Sequence, residues 1–374
     1  MSKPITIAID IRDLQVAKTG TKTYLTELVK AFKQINDPQV RFLYLDTTIP
    51  VYTGTNKILT LIEHGRYQLW KQLALPFKAF FCGADIVFCT DNVVPLLQLG
   101  FKTVPVFHDA FFFETPENYG RLWLWLYKNT ALPAARKSAF VITPSEWSKK
   151  QINRYTNIPN DKLVVIYEGP KSWGTQGLKG DDVVLQTFSI TPKNYLLHVG
   201  SMFKRKNIPA LIEAFSKIKV KYPYLKLVLA GAYPSNKLEN AYQHIIETIH
   251  ARQLSNDVVL TGYLPDSGVE QLYINALLYV FPSINEGFGI PVLEAFSHSL
   301  PVLIANNTCL PEIGGEAVLT FNPFDIADIT ATITSAMDDE NLRKSMIEKG
   351  RVRLKNFSWH QAALQLIEVF KKAV

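Results

Sequence analysis

Short apolar runs alternate with helical patterns along almost the whole chain. In the first half the runs fall at 5–10, 40–45, 85–89, 103–107, 139–143 and 163–167, and in the second at 195–199, 225–230, 257–260, 277–281, 301–304 and 317–321. Runs this short and this continuously apolar predict strands buried on both faces. Between them apolar residues recur at helical spacing, as in Leu25, Leu28, Val29 and Phe32, and again in Leu211, Ile212, Phe215 and Ile218. Strand–helix alternation of this kind predicts an α/β protein with parallel sheets covered on both faces.

The stretch 169–182 breaks the alternation. It holds Pro170, four glycines and little apolar content, and reads as a linker. With 374 residues the chain is long enough for two domains, each with its own core. The expected division is 1–182 and 183–374, with the last helix a candidate to pack back on the first domain. Ligands of open parallel sheets bind at the carboxyl ends of the strands. With two such sheets facing one another, the expected site is the cleft between them.

Composition narrows the class. Forty-seven per cent apolar and twenty per cent charged residues describe a soluble globular protein. No run of about eighteen apolar residues is present to span a bilayer. Met1-Ser2-Lys3-Pro4 leads directly into the first apolar run, which is too short for a signal segment, so a cytoplasmic protein is expected. Cys82, Cys89 and Cys309 have no metal-ligand spacing and read as reduced thiols. A net charge of +7 fits nucleic acid, an anionic membrane or phosphorylated substrates. No helix-turn-helix, zinc-finger or RNA-binding aromatic pattern supports the first of these.

The candidate chemistry centres on Glu286-Gly287-Phe288-Gly289-Ile290-Pro291-Val292-Leu293-Glu294. The apolar run before it ends at Pro282, and Pro291 suits the first turn of a helix, where its missing N–H costs nothing. Glu286 therefore belongs to a loop and Glu294 to the helix that follows. Gly287 and Gly289 allow close backbone approach, and the helix N-terminus offers N–H groups and positive potential. Carboxylates that accept hydroxyls, beside an anion-binding helix end, suit a nucleotide sugar. A second element, Gly200-Ser201-Met202-Phe203-Lys204-Arg205-Lys206-Asn207, sets three cations between a strand and a helix and reads as an anion site.

The run Glu-Gly-Phe-Gly-x-Pro-x-x-Glu-Ala resembles the signature of the retaining glycosyltransferases of family 4. That resemblance implies the GT-B fold, two Rossmann-like domains with parallel sheets facing across a cleft. The first domain would be acceptor-side and the second would bind the nucleotide sugar. Gly200–Asn207 resembles the family's Gly-x-x-x-x-Arg-Lys-Asn element, which implies that Arg205 and Lys206 hold the donor diphosphate. By the same match Glu286 contacts the sugar hydroxyls, backbone N–H groups of Phe288 and Gly289 assist, and Glu294 holds the ribose. His108-Asp109 resembles the family's pair at this strand end, with His108 near the transferred sugar and Asp109 orienting it or capping the next segment. Gly20 and Tyr24 stand where the family it resembles has a glycine-rich loop, with Lys22 and Thr23 in place of that loop's second glycine and arginine. Thr261-Gly262-Tyr263-Leu264-Pro265 resembles the segment lining the base. Leu310-Pro311-Glu312-Ile313-Gly314-Gly315 resembles a sequence of mannosyltransferase-like members, which favours GDP-mannose.

The substrate-binding candidates are thus Gly20, Ser201, Tyr263, Leu264, Gly287, Phe288, Gly289, Ile290 and Glu294, and the catalytic ones Glu286, His108, Arg205 and Lys206. Ser145 reads as an N-cap. The resemblance implies retention by same-face attack, with the leaving phosphate as base. No metal and no cofactor beyond the donor is expected, since no Asp-x-Asp stands at a suitable strand end. The expected acceptor is a glycan or lipid-linked intermediate of polysaccharide or glycolipid synthesis. Residues 66–81 and 120–137 carry aromatics with Arg66, Lys71, Lys78, Lys128, Arg136 and Lys137, a pattern that suits either contact with an anionic membrane, at the inner face of the plasma membrane, or ordinary core helices. Pro76 is expected to interrupt the first of these. A sugar-nucleotide epimerase of the same fold and a non-catalytic sugar-nucleotide-binding scaffold are the alternatives. A dehydrogenase fits poorly, because Gly-x-Gly-x-x-Gly does not follow the first strand.

Overall fold

The computed structural model describes residues 3–17, 20–54, 56–173, 183–233 and 241–374. The chain divides into two compact units, Met1–Gly169 with Ser358–Val374, and Pro170–Phe357. Most of the expected linker lies outside the described residues, and the division falls at its first residue. The helix Trp359–Ala373 packs within the first unit, where Phe370 stands 5.2 Å from Phe88 and 6.3 Å from Phe32.

All twelve apolar runs form strands. They are β1 (Ile5–Asp10), β2 (Val40–Leu45), β3 (Ile86–Cys89), β4 (Lys102–Pro105), β5 (Val141–Thr143) and β6 (Leu163–Val165) in the first unit. In the second they are β7 (Tyr195–Val199), β8 (Lys226–Ala230), β9 (Val258–Gly262), β10 (Leu278–Phe281), β11 (Val302–Ala305) and β12 (Val318–Phe321). Ends differ by one or two residues, because an apolar run can outlast the ladder that pairs it. Among the described residues these strand pairings are all parallel.

The first unit orders its strands β2-β1-β3-β4, with β5-β6 joined alongside through a parallel bridge between Val106 and Ile142. The second orders them β12-β11-β10-β7-β8-β9. From β7 the chain winds outward through β8 and β9, then returns to lay β10 on the other side of β7. That reversal is a topological switch point, where loops after adjacent strands part and leave a crevice. Leu196, Leu197, Leu278, Val280 and Phe281 of the two central strands are fully buried. Gly231, at the end of β8, permits the close approach that forms the turn after β7. A β-carbon there would stand 2.0 Å from Gly200 O.

The segment 57–81 departs from expectation. Helices Lys57–Leu69 and Leu75–Phe81 are joined by a π-helical turn at Trp70–Ala74, so the winding changes ahead of Pro76 without a break. Proline has no N–H to give the preceding turn, and a wider turn accommodates it. The inner face sets buried polar groups beside the apolar Leu75 and Ala79. Lys71 is 1% exposed, with its ammonium 2.5 Å from both Asp10 and Asp91. Trp70 donates to Asp10 at 3.1 Å, Tyr67 donates to Asp91, and Arg12 meets Glu63 at 2.5 Å. Lys71 is therefore not a surface cation, contrary to the sequence pattern. Its charge is fixed by the carboxylates at the ends of β1 and β3. Lys78 also turns inward, donating to Asp46 O at 2.9 Å. The outer face is apolar instead, with Ile58, Leu61, Ile62, Leu69, Leu73, Phe77, Phe80 and Phe81 exposed. Among the described residues no helix is long and apolar enough to cross a membrane.

Burial works against a charged Lys71, but Asp10 and Asp91 outweigh it and hold its pKa well above the ordinary value. Lys71→Glu removes that charge and adds a third carboxylate. The expected cost is about 3–5 kcal/mol of stability, the range for breaking a buried pair. Chemical denaturation with secondary structure followed by circular dichroism measures it, and a loss under 1 kcal/mol would contradict the network's role.

Candidate active site

The site of the second unit is assembled at the switch point from two loops. After β7 the chain runs through Gly200–Phe203 into a 3-10 turn, Lys204–Lys206, and then the helix Ile208–Lys221. After β10 it runs from Pro282 to Gly289 into the helix Ile290–Ser297. Backbone and side chain tie the loops together. Arg205 O accepts from Ile284 N at 2.8 Å and from Ser283 Oγ at 3.0 Å, and the Arg205 guanidinium donates to Asn285 O at 3.1 Å. Gly289 takes φ +107°, and a β-carbon on it would come within 3.0 Å of Leu310 Cδ2, so glycine is required at this helix entrance.

Glu286 is the hub. It is 7% exposed, Lys206 Nζ stands 2.5 Å from Oε1, and Arg205 stands 3.0 Å from Oε2. Ser283 Oγ donates to the same Oε1, and Cys309 Sγ donates to Glu286 O at 3.2 Å and Phe288 O at 3.0 Å. Burial favours the neutral acid, but Lys206 and then Arg205 overcome it and hold the Glu286 carboxyl at about 2. Burial lowers Lys206 to about 8 despite Glu286. A cation near neutrality, paired with a carboxylate, can exchange that partner for an arriving anion.

Glu294 has the opposite environment. It lies on the helix, 8% exposed, and accepts from Tyr273 OH at 3.0 Å. Burial pushes it up to about 7, with Tyr273 and Lys171 offsetting only part. Tyr273 stacks on His298 at 5.4 Å, and Trp173 meets both rings edge-on at 5.9 and 5.2 Å. The two glutamates eight positions apart thus sit in distinct microenvironments, one ionised and one poised near neutrality.

Among the sequence-derived residues, the structure brings Arg205, Lys206 and Glu286 into direct contact. Ser201 lies in the turn after β7, and Gly287, Phe288, Gly289 and Ile290 form the helix entrance, where Phe288 is anchored on Phe357 at 5.9 Å. Tyr263, 76% exposed, and Leu264 follow β9, the edge strand two places from β7. His108 and Gly20 belong to the first unit. Gly20 is exposed at the first position of the helix Gly20–Gln34, and the preceding Lys18 and Thr19 lie outside the described residues. His108 places Nε2 3.0 Å from Thr90 O and Nδ1 3.6 Å from Glu168. Burial opposes its proton, but Glu168 and Thr90 outweigh it and raise its pKa. Asp109 caps, accepting from Phe111 N at 3.1 Å, and Ser145 caps the helix Glu146–Thr156. Among the described residues no group of His, Cys, Asp and Glu is clustered to hold a metal.

Sequence reasoning missed Ser283, Cys309, Tyr273 and Glu168. Ser283 and Cys309 stand beside the motifs that begin at Glu286 and Leu310 and were within reach. Glu168 and Tyr273 come from other elements, and nothing local marks them.

Residues 186–353 match the family model described as Glycosyl transferases group 1, and residues 19–170 match Glycosyltransferase Family 4. The chain is 30% identical over 275 residues to O-antigen chain mannosyltransferase B of Escherichia coli, covering 72% of this chain and 70% of that protein. The chain belongs to glycosyltransferase family 4. This glycosyltransferase is also 29% identical over 289 residues to the serotype-specific mannosyltransferase WbdA of Escherichia coli, covering 75% of this chain but 34% of the longer WbdA. Anabaena HepE, solved in complex with UDP and glucose, superposes with a TM-score of 0.71 at 16% identity, covering 98% of this chain and 100% of HepE. The glycosyltransferase therefore has the GT-B fold, and its two parallel-sheet units are the two α/β domains of that fold.

The Glu294 pKa fixes the sign of a pH effect. Its folded value, about 7, lies above the ordinary 4.5. The group therefore favours folding below pH 4.5, and that contribution is lost as pH rises toward 7. Glu294→Gln should be more stable than the parent above pH 7, by up to roughly 3 kcal/mol, and should lose this part of the pH dependence. Urea denaturation at pH 5 and pH 8 checks it, and equal differences at both would refute the assigned environment.

Proposed function

We propose that this glycosyltransferase moves mannose from GDP-mannose to a glycan or lipid-linked acceptor in cell-surface polysaccharide or glycolipid synthesis, with retention of configuration and without a metal. The observation that carries the reading is the cluster of half-buried Arg205 with buried Lys206 and Glu286, in the loops that lead to the N-terminus of the Ile290–Ser297 helix. Transfer from a nucleotide sugar expels a nucleoside diphosphate, and its developing charge must be balanced by preorganised groups. Two cations and a helix end supply that balance, so no cofactor beyond the donor is invoked. Glu286 then engages the sugar hydroxyls, the Phe288 and Gly289 backbone assists, and Glu294 holds the ribose. Ser201, Gly287 and Ile290 line the donor, Tyr263 and Leu264 the base. The first unit, with Gly20 and His108, takes the acceptor side. The mannosyltransferase relatives favour mannose, and the UDP complex of HepE makes UDP-sugars the competitors.

A calorimetric screen of sugar nucleotides, followed by mass spectrometry of the product, tests the reading. GDP-mannose is expected to bind best. The anomeric proton of the product should report an α-linkage from the α-configured donor, and transfer should survive excess chelator. Inversion, activity restored only by Mg²⁺ or Mn²⁺, or release of a free epimer would each overturn it.

Two further outcomes follow from the cluster. Lys206→Ala or Arg205→Ala should lower kcat/KM by roughly 10²–10³, the loss expected for a removed charge stabiliser. Glu294→Ala should weaken binding of donor and free GDP alike, whereas Glu286→Ala should spare GDP and impair transfer. Calorimetry with both ligands separates these, and equal loss of GDP binding in the two variants would contradict the division.

We further propose that the enzyme works from the cytoplasm at the inner face of the plasma membrane, docked through the exposed apolar face of 57–81, with Lys57 and Arg66 flanking it. Flotation with phosphatidylglycerol liposomes should capture the protein, less so as salt rises. Phe80→Asp with Phe81→Asp should abolish capture and leave the fold intact. Equal capture of that variant would remove the face from the contact.

A further inference from the structure

His198 lies beside the basic pair, on β7, and is fully buried. Its Nδ1 is 3.1 Å from Val280 O, a carbonyl that can only accept, so the ring proton belongs on Nδ1. Nε2 is then a bare lone pair, and it has no hydrogen-bond partner among the described residues. A buried acceptor left without a donor weakens the fold and calls for a reason.

That lone pair and Lys206 border the same space beside Gly200. A β-carbon on Gly200 would stand 3.5 Å from His198 Nε2, 3.6 Å from Lys206 Cε and 3.9 Å from Lys206 Nζ. Glycine leaves that space open. His198 stacks on Phe281 at 5.7 Å, and the Lys206 ammonium lies 4.6 Å from the centroid of the same ring. Burial, and then the Lys206 charge, lower His198 to about 4, so the imidazole stays neutral and able to accept.

We propose that His198 is a positioning residue for Lys206: its neutral Nε2 accepts a hydrogen bond from the Lys206 ammonium when the donor diphosphate draws Lys206 away from Glu286. The inference rests on the diphosphate role proposed above for Lys206. A lysine ammonium has three protons to place. Glu286 takes one and, shared with Arg205, offsets part of the positive charge. A phosphate arriving at Lys206 competes with that carboxylate. A neutral acceptor then holds the ammonium in place and leaves its charge undiminished for the leaving group. The other titratable groups facing Lys206 are Glu286, Arg205 and Cys309, two of them charged and the third a buried thiol, so His198 is the neutral nitrogen acceptor of this set.

The test separates Lys206 from Glu286 without any ligand. Carbon-13 NMR of labelled lysine, with Lys206 assigned by its absence in Lys206→Arg, gives the titration midpoint of Lys206 in Glu286→Gln and in Glu286→Gln/His198→Phe. Phenylalanine keeps the stack on Phe281 and lacks Nε2. The midpoint is expected about one pH unit lower in the double variant, a tenfold loss of proton affinity. Equal midpoints overturn the proposal. With GDP-mannose as donor, His198→Phe should lower kcat about tenfold, leave the donor KM within about twofold, and move the alkaline limb of the rate profile to lower pH, because the lost contact matters most in the transition state. His198→Gln, which offers an amide oxygen, should recover part of both effects and guards against a variant that merely fails to fold. A His198→Phe enzyme that loses only thermal stability, with kcat and alkaline limb unchanged, also overturns the proposal. Full turnover by Lys206→Ala would instead remove the diphosphate reading, and the midpoint comparison would then decide the His198–Lys206 contact alone.

Discussion

A buried carboxylate held between two cations organises the second unit. Glu286 and Lys206 are both below a tenth exposed, and the cost of taking such charges from water is met only by close pairing and by further hydrogen bonds from Ser283 and Arg205. The arrangement joins loops that follow β7 and β10, strands far apart in sequence and neighbours only because the winding reverses at β7. Buried ion pairs contribute little net stability compared with apolar packing of the same volume. A protein that keeps one at the carboxyl ends of its central strands keeps charge where a polar ligand can reach it.

The two glutamates show how environment, and not residue type, sets a role. Glu286 is drawn to about 2 by its cations, and Glu294 is pushed to about 7 by burial beside Tyr273. Titratable groups driven apart in this way mark distinct tasks in a site. The aromatic layer of Trp173, Tyr273 and His298 removes water from Glu294 and supplies one hydroxyl in exchange. His198 extends the pattern, a ring kept neutral by its burial and then by the Lys206 charge.

The first unit distributes polarity in an unusual way. Its helical segment 57–81 turns Tyr67, Trp70 and Lys71 inward onto carboxylates and turns an apolar row outward. Lys71 bridges Asp10 of β1 and Asp91 beyond β3, so the ends of adjacent strands are tied by one ammonium. The apolar row is exposed, and the inner face anchors the segment through the carboxylates that Lys71 meets and through buried Leu75 and Ala79.

Twelve strands and the parallel α/β class were legible because each run of apolar residues is local and its burial on two faces leaves a composition that no other element shares. The family was legible because Glu286 to Glu294 and Gly200 to Asn207 are each contiguous, and a contiguous motif carries its own register. The sequence marked Arg205, Lys206 and Glu286 by family motifs but could not show that Glu286 is the counter-ion of both cations. Nor could it name Tyr273 or Glu168, which reach Glu294 and His108 from separate elements. For 57–81 it offered aromatics and cations at helical spacing, and the tertiary structure decided the sense of the helix: Lys71 faces inward because two carboxylates await it there. Local pattern fixes which residues make a strand or a turn. Which charges meet is decided by the order of strands in a sheet, and that order is a property of the whole chain.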